Sequence, residues 1–216
     1  IDTAEAGDIV SLAGMSKATV ADTIADQSVQ DPIPAQPIDP PTITVTFGIN
    51  DSPLAGRDGK KVQSRVIRDR LLKECESNVA IKMVDTPGGE AFDVSGRGEL
   101  QMGVLIENMR REGFELSISR PRVIYKDVEG VKNEPVEEVT IDVDEEFSGA
   151  IIEKLSARKG EMVDLKSSGS GKTRIVSLVP SRGLIGYHSE FMTDTRGTGI
   201  LNRVFHSWSP HKGSIP

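Results

Sequence analysis

The chain has 216 residues, 37% hydrophobic, 4% aromatic and 27% charged, with a single cysteine and a formal net charge of −7. That is apolar material for one or two cores of roughly 80 to 100 residues. No run is long enough for a membrane-spanning helix, and the lone Cys75 excludes an internal disulfide framework.

No charged-then-apolar leader is present, which with the single thiol points to a reducing, cytoplasmic setting and no membrane. The sequence begins without Met and stops abruptly at Ser214-Ile215-Pro216, so it reads as a piece of a longer protein. The negative charge is uneven. Residues 1–40 carry seven acids against Lys17, whereas 171–216 carry six cations against Glu190 and Asp194, a local +4. An acidic whole therefore does not exclude a polyanionic partner. The cluster of Glu134, Glu137, Glu138, Asp142, Asp144, Glu145 and Glu146 reads as a solvated strand edge.

In chain order, residues 1–26 alternate apolar and polar positions between glycine turns, as the closing strands of a small β-barrel would. Five prolines within 27–41 (QSVQDPIPAQPIDPP) predict an extended linker. A strand is expected over 42–49, with Ile43, Val45, Phe47 and Ile49 on one face. After the loop DSPLAGRDGK comes a helix over about 61–77 with Val62, Val66, Ile67, Leu71 and Cys75 inward. Strands at 79–85 and 91–94 lead to a helix carrying Met102, Leu105, Ile106 and Met109 at i, i+3, i+4, i+7, closed by Gly113. A strand at 114–119 completes βαββαβ, a ferredoxin-like unit.

Arg120-Pro121 breaks the chain and the order repeats: strands at 123–128 and 136–143, a helix at 148–159 with Ser148 as N-cap and Gly160 as C′ glycine, strands at 162–166 and 173–179 around a flexible SSGSG loop, one helix over 181–194 with Leu184, Ile185, His188 and Met192 inward, and a strand at 200–208. The expected fold class is α+β: two ferredoxin-like sandwiches in tandem after a barrel remnant. Domain boundaries are expected at 1–28, 29–41, 42–120, 121–209 and 210–216.

Most chemical motifs fail on context. Gly171-Lys172-Thr173 ends like a phosphate-binding loop, but Lys166 stands where its first glycine is needed and a strand follows. Asp85-Thr86-Pro87-Gly88 fits a β-turn. The histidines His188, His206 and His211 have no metal-ligand spacing, and no nucleophile stands by a base, so no catalytic residue, cofactor or metal is assigned to this chain. What remains is a repeated turn: Ser95-Gly96-Arg97-Gly98 and, 85 residues later, Ser181-Arg182-Gly183. Each follows a strand and opens a helix, placing backbone amides and an arginine where a phosphate of folded RNA could be held by position.

The stretch DTPGGEAFDVSGRGELQMGVLIENMRREGFELSISRPRVIYK resembles domain III of translational GTPases running into domain V. Together with VPSRGLIGYHSEFMTDTRGTGI it resembles the BipA/TypA family rather than elongation factor G, whose corresponding helix tends to open with Pro-Leu, or LepA. AGDIVSLAG and ADTIAD are similar to the end of that family's domain II barrel. Gln101-Met102 depart from the usual His-Leu. The resemblance implies a ribosome-associated GTPase acting in translation or large-subunit assembly under stress, with GTP and Mg²⁺ held by an upstream GTPase domain. This portion, a monomer, would position the factor on rRNA and ribosomal proteins and relay the nucleotide state. RNA-binding residues matched by position are Arg57, Lys60, Lys61, Arg97, Arg182 and Arg196, and the basic segment adds Lys172 and Arg174. Two competitors differ in class. A tandem regulatory module would hold a small metabolite in an apolar, polar-rimmed pocket between its halves. A sequence-specific RRM would need exposed sheet aromatics, which are scarce here.

Overall fold

A computed structural model describes residues 3–15, 18, 22–35, 38–167 and 169–215. The chain divides into two compact units, Ile1–Ile38 and Asp39–Pro216. In the first, the described residues hold turns and no strand. Asp26 anchors one turn through the Ser28 amide at 2.9 Å, and the Ile33 amide donates to Thr23 Oγ1 at 3.0 Å. The barrel strands expected in 1–28 are thus not formed among the described residues. Ile9 and Leu12 stay exposed because no paired strand lies there to cover them. Parts of that stretch, of the 27–41 linker and of the SSGSG loop (Ser168) fall outside the described residues.

The second unit is built as expected from two ferredoxin-like sandwiches. In the first, β1 (Ile43–Ile49), β2 (Lys82–Asp85), β3 (Ala91–Gly96) and β4 (Leu116–Ile118) form an antiparallel sheet in the order β2-β3-β1-β4, and α1 (Ser64–Ser77) and α2 (Glu99–Arg111) supply its helices. Phe47 and Phe92 face each other across β1 and β3, and both are fully buried. Burying such a side chain contributes roughly 1.5–3 kcal/mol. Ile67 and Leu71 of α1 and Met102, Leu105 and Met109 of α2 complete the core. The helix α1 starts three residues later than expected and its inner stripe is narrower, since Val66 is exposed. Gly113 closes α2 in the left-handed region, φ 86°. Its amide reaches Arg110 O and the Phe114 amide reaches Met109 O, both at 3.0 Å, the double bond of a Schellman end.

The seam to the second sandwich lies beyond Pro121. A short strand β5 (Arg122–Val123) still pairs with β1, and Val123 belongs to the first core. Beyond it, β6 (Lys126–Val128) turns into the long β7 (Val131–Asp144), and α3 (Glu145–Ala157), β8 (Glu161–Ser167), β9 (Lys172–Pro180), α4 (Ser181–Leu184), α5 (Tyr187–Asp194) and β10 (Ile200–Pro210) follow. The order β10-β7-β9-β8 repeats that of the first sheet, strand for strand. Val139, Ile141, Ile175, Ile151, Leu155 and Phe191 are core residues of this half. At the sheet's edge, β8 exposes Met162, Val163 and Leu165 and carries a register shift between Met162 and Asp164.

Three expectations for this half change. The N-cap of α3 is Asp144, not Ser148, whose hydroxyl instead donates to Glu145 O at 2.7 Å. The residue taking the left-handed conformation after α3 is Lys159, φ 64°. Gly160 comes one position later, where a Cβ would stand 2.8 Å from Leu155 O. The expected helix over 181–194 is two, because Gly186 adopts φ 72° between them. That break resets the helical phase: Tyr187 and Phe191 turn inward and His188 faces solvent.

Candidate nucleic-acid interface

The loop after β1 is shaped from within. The Glu115 carboxylate, just before β4, accepts the amides of Gly56 (3.0 Å), Asp58 (3.2 Å) and Gly59 (3.0 Å) and the side-chain amide of Asn50. These donors, the Gly59 amide first, hold its pKa below the usual carboxylate range despite some desolvation. Gly59 allows the close approach, since a Cβ there would lie 2.8 Å from Gly113 O. Arg57 and Lys60 project from this braced loop, exposed and without an ion-pair partner among the described residues. Lys61 lies with its ammonium 4.6 Å from the Phe114 ring centre.

The two repeated turns differ in use. Arg97 is pinned by its backbone: its amide donates to Gln101 Oε1 at 2.8 Å and its carbonyl accepts from Thr42 Oγ1 at 3.2 Å. Its side chain is exposed and makes no ion pair among the described residues. Gln101, one of the two departures from the family's His-Leu, thus closes the turn. Arg182, by contrast, is committed inward. Its guanidinium holds Glu134 through Nε and, at 3.2 Å, through a terminal nitrogen, and donates to Gly213 O as well. Only 14% of the Arg182 side chain and 1% of the Glu134 side chain are exposed.

The remaining cations are also engaged. Lys172 reaches Asp144 at 3.4 Å, and Arg174 holds both oxygens of Asp142 at 2.7 and 2.8 Å. Arg196 takes the left-handed position after α5, φ 52°, with its guanidinium 5.6 Å from the Phe147 ring centre. The acidic cluster corrects the sequence reading. β7 is an inner strand flanked by β10 and β9, so Glu134 and Glu137 are buried rather than solvated, neutralised by Arg182 and by Arg203 at 3.5 Å. Neither partnership was legible, because each arginine lies more than 45 residues away. The GKT segment is a β8–β9 connection running into a strand, and Asp85 of the DTPG turn is gripped by Arg68 at 2.8 and 3.0 Å.

The two sandwiches meet along α2, the α4–α5 break and β10. Ile185, next to the break at Gly186, is partly buried and packs on the first core, and the Gly186 amide donates to Glu99 of α2 at 3.3 Å. Two cavities open here. One of about 380 Å³ is lined by Arg97, Leu100, Glu137, Arg203 and Phe205, and one of about 620 Å³ by Leu100, Gly103, Leu184, Tyr187 and Leu201. Among the described residues, no helix is long and apolar enough to cross a membrane.

Comparison with known proteins accords with this architecture. Residues 131–216 match the family described as elongation factor G C-terminus. The chain is 50% identical over 210 residues to the large ribosomal subunit assembly factor BipA of Bacillus subtilis, covering 97% of this chain and 34% of the relative. It is 50% identical over 212 residues to that of Haemophilus influenzae (98% and 34%) and 49% over 204 residues to that of Escherichia coli K12 (94% and 34%). It therefore spans about a third of the length of the curated relatives it matches. Half-identity along nearly the whole chain, with two sandwiches of matching strand order beneath it, means that this chain belongs to the BipA family.

Proposed function

We propose that this chain is the ribosome-facing portion of a BipA-like translational GTPase. It positions the factor on rRNA of the large subunit and relays the nucleotide state of a GTPase domain lying outside the chain, where GTP and Mg²⁺ are handled. The relatives' description as large-subunit assembly factors supports the partner. Within this reading, 1–28 corresponds to the end of domain II, 29–41 to a linker, 42–120 to domain III, 121–209 to domain V and 210–216 to the link onward, with cytoplasmic action as a monomer.

The carrying observation is the Glu115-braced loop, which holds Arg57 and Lys60 outward before any partner arrives. Preorganised cations of this kind suit phosphate contacts, which give affinity without reading bases. Lys61, beside Lys60, extends this basic surface, whereas Arg97 lies at the opposite end of α2, and Arg182, Arg174 and Lys172 are paired with their own carboxylates on the second sandwich. The test is co-sedimentation with large ribosomal subunits across a salt series. The double variant Arg57→Glu/Lys60→Glu should weaken binding and flatten the logarithmic salt slope by about 2, roughly one per lost phosphate contact. Unchanged pelleting at low salt would refute it. A metabolite-binding reading has one observation in its favour, the apolar 620 Å³ groove between the sandwiches.

A further inference from the structure

The distribution of aromatic side chains is uneven in a way composition hides. Of six Phe, two Tyr and one Trp, Phe47, Phe92, Phe114, Phe191 and Tyr187 are buried and Phe147 packs on the second core. The other three, Tyr125, Phe205 and Trp208, gather toward one end of the second sheet. Residues three apart on a regular strand point to opposite faces. Here the register of β10 slips between Phe205 and Ser207, leaving His206 as the extra residue. Phe205 then pairs with Glu137 and Trp208 with Pro135, so both rings fall on one face, their centres 5.8 Å apart and tilted by 54°. The Lys126 ammonium lies 4.0 Å from the Trp208 ring centre.

That aromatic pair adjoins the 380 Å³ cavity, which Phe205 itself lines. The volume falls within the range of small-ligand clefts, about 300–1,000 Å³. Its polar lining comes from both sandwiches. Arg97 contributes a guanidinium with no ion pair among the described residues. Arg203 contributes a second, half-engaged by Glu137 at 3.5 Å, with a terminal nitrogen 3.4 Å from where a Cβ on Gly98 would stand. Asp39 lines the same space. Two planar cations suit a phosphate, a ring pair suits an unstacked base, and a carboxylate suits ribose hydroxyls.

We propose that this cleft binds one unstacked nucleotide of single-stranded RNA: base against Phe205 and Trp208, phosphate between Arg97 and Arg203, ribose hydroxyls on Asp39. The inference rests on RNA being the partner, as above, and adds a base-stacking site to a surface otherwise suited to duplex phosphates. Because both sandwiches supply the phosphate grip, occupancy also fixes them relative to each other.

Trp208 is the only tryptophan, so its emission reports on the site directly. Titration with an eight-nucleotide single-stranded RNA should quench it saturably, and a duplex of the same sequence should not. Phe205→Leu keeps apolar volume but removes the ring, and should weaken binding about 5- to 150-fold. Arg97→Gln removes no ion pair among the described residues, so it should leave thermal stability unchanged while weakening binding and lowering the salt slope by about one. Absent quenching at millimolar RNA, equal quenching by the duplex, or wild-type affinity in Arg97→Gln would each overturn the proposal, as would quenching by a protein partner but by no RNA. If the octanucleotide fails while ribosome pelleting still depends on Arg57 and Lys60, the cleft is wrong and the braced loop stands. If quenching holds and pelleting is indifferent to those two cations, the reverse follows.

Discussion

Replacing Arg182 by Ala should destabilise the 39–216 unit far more than any other arginine truncation on this surface. Glu134 loses the hydrogen bonds and charge that compensate it at 1% side-chain exposure, and the 211–215 segment loses the bond to Gly213 O. Breaking one side of a buried ion pair costs about 3–5 kcal/mol, because the other charge is left uncompensated. For a cooperative unit of 150–250 residues each kcal/mol is worth about 2–4 °C, so Tm at neutral pH should fall by about 6–20 °C. The pH profile carries a second signature. Burial pushes the Glu134 carboxyl up, but the Arg182 hydrogen bond, the Lys212 amide at 2.8 Å and nearby positive charge outweigh it, leaving the pKa below the usual value. A depressed folded pKa gives stability that is complete above the unfolded value, about 4.3, and is lost as pH falls through the folded one. The gap between wild type and Arg182→Ala, followed by circular dichroism melts, should therefore be widest near neutrality and close below about pH 4. A drop of less than about 2 °C, or a gap independent of pH, would show that Glu134 is neutral or solvated and that the clamp is not as described.

Ile185→Asp should uncouple the two sandwiches, because it places a charge where Ile185 meets the first core; a single melting transition that splits in two, with each half still folded, is the expected calorimetric result. Tyr187→Phe should leave Tm equal or slightly raised. The Tyr187 hydroxyl is buried without a hydrogen-bond partner among the described residues, and its removal ends a desolvation cost of about 1–3 kcal/mol at most. In the wild type, burial pushes that phenol up to about 12, above the ordinary tyrosine range, which spectrophotometric titration can read.

What the sequence disclosed was local. The 3.6-residue periodicity of Met102, Leu105 and Met109 marked the buried face of α2, Gly113 its end, and the recurrence of strand, Ser-Arg-Gly turn and helix marked two modules whose sheets prove to share one order. What it concealed depended on distant partners. VKNEPVEEV has the composition of a solvated edge, yet it is the centre of a sheet, because Arg182 and Arg203 arrive from later strands and turns to neutralise it. The same turn motif presents its arginine outward at Arg97 and inward at Arg182, a difference set by the acid opposite and invisible in the motif. Gly186 looked like one glycine within a helix, but its left-handed backbone makes the joint.

The edge strand β8 has a bearing on how the molecule behaves in concentrated solution. Its outer row of amides and carbonyls, beside exposed Met162, Val163 and Leu165, would be an open template for a like strand from another copy. The irregular register at Met162/Asp164 interrupts that template midway, and the Asp164–Lys166 ion pair sets charge beside it. A smooth, uncharged β8 would thus trade a monodisperse protein for one prone to fibrous self-association.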